Sequence, residues 1–409
     1  MTEIENRAKL PGTFKIFVIS KFFATTGSGF YLVLIPWMVL SLTKSPLLVG
    51  IAEGFAAIPL ITSFFIGAMI DKVKMKNYLF IFSILGIGLS SLSFLLALSS
   101  NTMLFTVIVI FIPILLISYL GDVQTTISSF MDKILLSNEQ LIQGISLRRG
   151  TRSIAKISGI VFFGFFIIIS LYSSIIFLAI LYFLSLFAFI FVSQKTKFNE
   201  SSKRSKDGTK TDIFQGIRKF LSVPFLKELT LLGICLNLFY GMIFTGIAVL
   251  IGTYLNLSGV YFSLIIMAWA IGEAAGSVIS GVIKRTGGRL LEIAMIMCGS
   301  LFVIFFAFSL RHSYFPLLPL VFLIGFISGI VNVLIYTLMI KNTPSDLIGG
   351  TFGAFNSLFG GVTFLSGLIA GILLTYLLAP FLFLIIGASF LIIGFFSLTT
   401  LTNLKKISM

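Results

Sequence analysis

The sequence predicts an all-α integral membrane protein, with twelve transmembrane helices arranged as two six-helix bundles. Three observations predict it. Apolar runs long enough to span a bilayer recur along the whole chain. Charged residues are too few to cover a water-soluble surface. Lysine and arginine gather in alternate connectors. Hydrophobic types make up 57% of the 409 residues and charged types 11%, where a soluble domain carries about 25% charged residues. Disorder is excluded as well, because it needs low hydrophobicity together with high charge.

The first observation fixes the elements. About 20 residues, at a rise of ~1.5 Å each, cross a hydrocarbon core ~30 Å thick. In lipid every backbone N–H and C=O must find its partner within the protein, which leaves helices or a closed barrel. Barrel strands would run for ~10 residues with alternating polarity. The stretches Tyr78–Ser99 and Phe381–Thr400 show no alternation, so helices are expected. Spans are expected at about 14–40, 47–70, 78–99, 103–130, 153–170, 173–193, 229–255, 260–283, 290–310, 315–340, 347–374 and 379–402. Several separators are very short, as at Ser99–Thr102 and Leu171–Ser173, and force antiparallel neighbours.

Charge fixes the orientation. Cytoplasmic connectors of membrane proteins are enriched in Lys and Arg. With the N-terminus inside, 26 of the 29 Lys and Arg fall on the inner side, only Lys44 and Arg311 fall outside, and Lys21 lies within the first span. The net charge of +15 is thus a topology signal, and nucleic acid is not expected as a partner. The expected setting is the cell membrane, multi-pass, with both termini cytoplasmic and lipid as the surrounding medium. The first apolar run is too long for a cleavable signal and lacks a small-residue cleavage site.

The polar stretch 194–228 divides six spans from six. Its stretch Asn199–Gly208 reads as a solvated linker, and Phe214–Phe225 has the spacing of an amphipathic helix on the inner membrane surface. The expected domains are an N-terminal bundle, 1–193, the cytoplasmic linker, 194–228, and a C-terminal bundle, 229–409. The halves resemble each other: Ser137-Asn138-Glu139-Gln140-Leu141-Ile142-Gln143-Gly144 follows span four, and Thr343-Pro344-Ser345-Asp346-Leu347-Ile348-Gly349-Gly350 follows span ten. Duplicated six-helix halves are one of the known transporter plans.

The loop after span two reads Gly67-Ala68-Met69-Ile70-Asp71-Lys72-Val73-Lys74-Met75-Lys76. It resembles the G-x-L-a-D-r-x-G-r-k signature of the major facilitator superfamily, with Lys74 in place of the second glycine. Leu42–Gly50, and Pro344-Ser345-Asp346-Leu347 with Gly350, resemble phrases of a macrolide-efflux-like branch. The resemblance covers nearly the whole chain. It implies the major facilitator fold and secondary active transport by alternating access, with export of small hydrophobic or amphipathic compounds. It also implies a gating role for Gly67, Asp71, Lys72 and Lys76, with Asp71 latching the inner side. The resemblance has gaps: span five lacks the proline-containing run of many drug–proton antiporters, and a cation replaces the aspartate in the second basic loop, Gly281–Arg289.

A charge in hydrocarbon costs about 3 kcal/mol on insertion scales, so charged residues inside spans must face a cavity or a partner. Four stand out: Lys21, Glu53, Asp122 and Glu273. Lys21 and Asp122 each lie about seven residues, ~10 Å, above the inner ends of spans one and four. A Lys21–Asp122 pair is expected, either broken during transport or static between two helices. Glu273, mid-span with no cation in its own helix, and Glu53, nearer the outer surface, are candidate proton carriers or structural acids. Asn237, Tyr240, Asn332, Tyr336 and Asn356 are expected as cavity walls or as hydrogen-bonding glue between helices. Gly50-x-x-x-Gly54, Gly272-x-x-x-Gly276, Gly325-x-x-x-Gly329 and Gly367-x-x-x-Gly371 permit close helix approach.

Cys235 and Cys298 each lie within an apolar run and read as packing residues, and the single histidine, His312, cannot build a metal site. The sequence has no nucleotide cradle of the G-x-x-x-x-G-K-S/T type and no clustered catalytic residues, so neither cofactor, metal nor enzymatic activity is expected. The functional expectation is proton-coupled export of a small-molecule substrate by a monomer. An importer or uniporter of a small solute is the alternative, followed by a non-transport membrane protein such as a lipid scramblase or sensor.

Overall fold

The computed structural model describes residues 10–73, 75–137, 139–195, 224–281, 288–342 and 348–400. Among them are twelve α-helices and no strand: α1 Gly12–Thr43, α2 Pro46–Lys72, α3 Lys76–Leu98, α4 Met103–Leu135, α5 Leu141–Ile169, α6 Leu171–Lys195, α7 Pro224–Val249, α8 Gly259–Ser280, α9 Gly288–Leu310, α10 Leu317–Asn342, α11 Ile348–Tyr376 and α12 Ala379–Thr400. A π-turn, Leu250–Tyr254, extends α7. Eleven of the helices are long and apolar enough to cross a bilayer, and α11 contributes the apolar stretch Gly360–Tyr376. The twelve expected spans are all helical. The linker residues 196–223, with most of the amphipathic stretch from Phe214, lie outside the described residues, as do Lys74 and the Pro344–Leu347 phrase.

Connectors stop these helices by local chemistry. Thr43 ends α1, and Ser45 starts α2: the Leu48 N–H donates to Ser45 Oγ at 3.4 Å, and Pro46, which has no N–H to satisfy, takes the first helical position. Ser170 alone separates α5 from α6. Its extended backbone breaks the helix, and its Oγ accepts from the Ser173 N–H at 3.0 Å. Beyond α2, the Lys76 ammonium donates to the Val73 carbonyl at 3.1 Å, placing a cation at the negative end of that helix.

Two helices differ instructively from expectation. α4 runs to Leu135 instead of about 130, and α5 begins at Leu141 instead of about 153. Hydropathy ends a span where charges begin, whereas the backbone ends a helix only where hydrogen bonding or sterics demand it. The residues leading into span five, including Leu147, Arg148 and Arg149, are good helix formers, so the basic segment joins the helix.

The chain divides into two compact units, Met1–Leu34 with Thr62–Arg204, and Ile35–Ile61 with Ser205–Met409. The first unit packs around phenylalanine: Phe80 and Phe189 lie 4.3 Å apart, with Phe17 6.1 and 6.2 Å from them. Ser20 donates to the Ser185 carbonyl at 2.8 Å and ties α1 to α6. Close contact of α1 with α5 depends on glycine: a Cβ at Gly29 would strike the Lys156 carbonyl, and one at Gly159 the Thr26 carbonyl.

In the second unit the four small-residue repeats meet two by two. Side chains at Gly272 and Gly276 of α8 would strike the carbonyls of Phe322 and Phe326 on α10. Side chains at Gly325 and Gly329 would strike those of Trp269 and Glu273. The same reciprocity joins α2 to α11. A Cβ at Gly50 would strike the Gly367 carbonyl, and one at Gly367 would lie 2.6 Å from the Gly50 carbonyl. This seam, together with Trp37 stacked on Phe262 at 5.8 Å, groups the segment Ile35–Ile61 with the helices that follow the linker.

Candidate functional site

The first unit encloses a cavity of about 200 Å³ lined by α1, α3, α4, α5 and α6. Its floor and walls are unusual for a membrane span. Lys21 comes from α1, and Arg148, Arg152 and Lys156 come from α5 at i, i+4 and i+8, a spacing that puts all three on one helical face. Gln124, Thr125 and Ser128 of α4 add neutral polar groups, and Phe22, Leu32 and Ile87 add apolar wall. Lys156 stands 13 residues, ~20 Å, from the C-terminal end of α5. With that end level with the edge of a ~30 Å core, its ammonium root lies about 10 Å inside the other edge. Exposing such a cation to lipid costs about 3 kcal/mol. Open space shared with three other cations supplies the water it needs.

One carboxylate answers these charges. Arg148 Nη2 donates to Asp132 Oδ2 at 2.5 Å, the one ion pair among the described residues, and Asp132 is 96% buried. Asp132 Oδ1, Arg148 Nε and the amide nitrogen of Gln124, itself buried, have no hydrogen-bond partner among the described residues. Lys21 is within electrostatic reach of Arg148, Arg152 and Asp132, and its ammonium lies 5.6 Å from the Phe80 ring centroid.

The expected Lys21–Asp122 pair does not form. Asp122 does not line the cavity, and its Oδ2 is buried without a partner among the described residues. The reason is the helix face: Gly121, Gln124, Thr125 and Ser128 flank Asp122 along α4 and line the cavity, so Asp122 stands at its level but on another face. The acid that α4 brings to the cations is Asp132, ten residues on, which pairs with Arg148. Tyr119, one turn from Asp122, accepts from Thr62 Oγ1 at 3.3 Å instead.

The remaining expected residues fall in the second unit, on α2 or, for Lys76, at the start of α3. Glu273 of α8 accepts through Oε1 from Asn332 Nδ2 of α10 at 3.4 Å. The contact lies on the glycine seam, where Gly329 admits the Glu273 backbone. Glu53 is half-buried beside Gly367, and no hydrogen bond or ion pair holds it among the described residues. Tyr240 is a packing residue and not an open wall. Its hydroxyl lies 3.5 Å from Cys298 Sγ, and its ring meets Trp269 and Phe390 edge-on. Asn237 donates to the Gly233 carbonyl of its own helix at 3.0 Å. Tyr336 is exposed. Asn356 lies on α11 with its side chain outside the described residues, as are those of Asp71 and Lys72 at the end of α2. Gly67 has open space around it, and Lys76 lies 4.4 Å from the Phe130 ring centroid.

Sequence reasoning missed the three α5 cations as a site: starting the span at about 153 left Arg148 and Arg152 outside it, and Lys156, just within it, was counted with the inner connector. Their i, i+4, i+8 spacing was the signal that could have found them. It also missed Glu292 of α9, which is completely buried.

Twelve apolar helices, with charged residues held in open space inside a span and acids set at mid-helix, define a polytopic membrane protein. The sequence profile of the Major Facilitator Superfamily matches residues 17–367. The chain belongs to the Major Facilitator Superfamily, so its role is transport rather than catalysis, as a secondary transporter of small molecules. No curated protein matches it in sequence. Among solved structures it is similar to the nucleoside transporter NupG, at 13% identity and a TM-score of 0.72, over 96% of this chain and 100% of that one. It is equally similar to a POT family transporter in complex with a thioalcohol-conjugated peptide, at 13% identity and 0.73, over 96% of each chain. At these identities the likeness is one of fold.

Proposed function

We propose that the chain is a proton-coupled carrier that exports a small amphipathic compound across the cell membrane by alternating access, with both termini cytoplasmic. The observation that carries the coupling is Glu273, a carboxyl set mid-way along an apolar span with a neutral partner, Asn332, and no cation on it among the described residues. A carboxyl that can be neutral or charged without breaking an ion pair can take up and release a proton. Glu53 is the second such acid. The outward direction rests on the macrolide-efflux-like phrases around Leu42–Gly50 and Pro344–Leu347, and the amphipathic solute on the mixed polar and aromatic lining of the cavity.

Within this reading the duplicated halves are 1–193 and 229–409, joined by the linker 194–228. Asp71 at the end of α2 latches the inner side, with Gly67, Lys72 and Lys76 shaping its loop. The test is flux into inverted vesicles with and without an imposed proton gradient. Gradient-driven uptake that is lost in the Glu53→Gln, Glu273→Gln double variant is the expected result. Flux indifferent to the gradient would replace the coupled exporter with a uniporter.

A further inference from the structure

We propose that the cavity of the first unit is a binding subsite for an anionic group, and that the transported solute is therefore an organic anion with a small apolar body. This deepens the carrier reading and rests on it. Four cations, Lys21, Arg148, Arg152 and Lys156, line the space, and among the described residues only Asp132 pairs with one of them. Lys21, Arg152 and Lys156 make no ion pair among the described residues. Mutual repulsion among cations in a span is unfavourable, and a carboxylate or phosphate bridging them would relieve it.

Two further observations point to a ligand and not to a solvated face. The buried Gln124 amide and Arg148 Nε are donors with no acceptor among the described residues. They belong to the same cavity, and buried donors are ordinarily paired. The lining also carries apolar Phe22, Leu32 and Ile87, which suits the hydrocarbon or aromatic part of the same solute. A volume of about 200 Å³ admits a ring with one acidic substituent and not a large macrocycle. A cationic solute is disfavoured at the same place by like charge. The shared chemistry of carboxylate and phosphate leaves two sources, a free solute or an anionic lipid headgroup. The free solute is favoured because the site sets its cations together with apolar lining residues, Phe22, Leu32 and Ile87.

The test uses the purified full chain in neutral detergent and three probes of one shape: benzoate, benzamide and benzamidine, which are anionic, neutral and cationic. Benzoate alone is expected to raise the unfolding temperature and to titrate saturably. Arg152→Gln and Lys156→Gln each remove one charge-assisted contact and are expected to weaken benzoate about tenfold. Both side chains are exposed, so the variants keep the parent's elution profile and unfolding temperature without ligand. Equal responses to the three probes, or benzoate binding unchanged in both variants, overturn the proposal. Stabilisation by phosphatidylglycerol with none by benzoate also overturns it, in favour of a lipid site. Binding is read without flux, so the two readings separate. A chain that transports other solutes but ignores benzoate loses the anion subsite and keeps the carrier. A benzoate response that disappears with Arg152 and Lys156, in a chain without flux, supports the subsite and discards the carrier.

Discussion

The first unit arranges charge around open space, whereas the second shuts helix against helix through glycine. In the first, α5 sends Arg148, Arg152 and Lys156 toward Lys21 of α1, and the volume between them stays empty of side chains. In the second, α8 and α10 touch backbone to backbone along Gly272, Gly276, Gly325 and Gly329. Both arrangements are built from apolar helices of similar length. The difference teaches that in a bilayer the polar content of a helix face sets the gap: ions need water or a ligand beside them, and glycine needs nothing. The two devices meet at one point, where Gly29 holds the Lys156 backbone against α1 while the Lys156 side chain lines the cavity.

The sharpest way to break this contrast is to unbalance the one ion pair. Arg148→Gln leaves Asp132 deeply buried without its cation, and removing one partner of a buried pair typically costs about 3–5 kcal/mol. The apparent unfolding temperature in detergent is expected to fall steeply, and the Asp132→Asn, Arg148→Gln double variant to recover most of the loss. A single variant that unfolds with the parent would mean that water already carries the charge of Asp132, and that the pair is part of the open space.

Next in size are two glycines of opposite kind. A methyl at Gly276 would strike the Phe326 carbonyl, which cannot move without shifting α10, and such overpacking typically costs about 1–3 kcal/mol. Gly121 lies on the cavity side of α4 with nothing within 4 Å of where its Cβ would be. There alanine should be neutral or gain up to about 1 kcal/mol of helix propensity. Thermal unfolding of Gly276→Ala and Gly121→Ala in the same detergent checks both. Equal shifts would erase the distinction between seam and cavity.

Much of this was legible in the sequence because the bilayer sets a strong rule: apolar length forces a helix, and the side that Lys and Arg occupy orders the turns. The glycine repeats were legible as motifs, since close approach is their simplest use. Their pairing, Gly50 and Gly54 with Gly367 and Gly371, was not, because nothing local in α2 specifies α11. The site was legible only in part. Lys21 was found because a charge in an apolar run stands out. Arg152 and Lys156 were hidden because they lie at and just inside the polar end of a span, where hydropathy reads a connector and only helical spacing reads a face. Asp122 was mispaired for a different reason: its depth matches the cavity, which Gly121 and Gln124 on either side of it line, but hydropathy does not say which face of α4 turns toward that space.

The smallest expected effect is on the Glu273–Asn332 bond. It spans 3.4 Å at an exposed position, and hydrogen bonds between membrane helices average about 0.6 kcal/mol. Asn332→Ala should therefore leave the unfolding temperature almost unchanged, because the α8–α10 seam is held by backbone contact at Gly325 and Gly329 and not by this side chain. Its effect on transport should be larger than its effect on stability. Without the amide donor, Glu273 loses its one hydrogen bond among the described residues, and gradient-driven flux should fall. Glu273→Gln should abolish the dependence of flux on the proton gradient. If Asn332→Ala instead unfolds the protein, the polar pair and not the glycine holds the second unit shut, and the contrast between the units rests on hydrogen bonding in both.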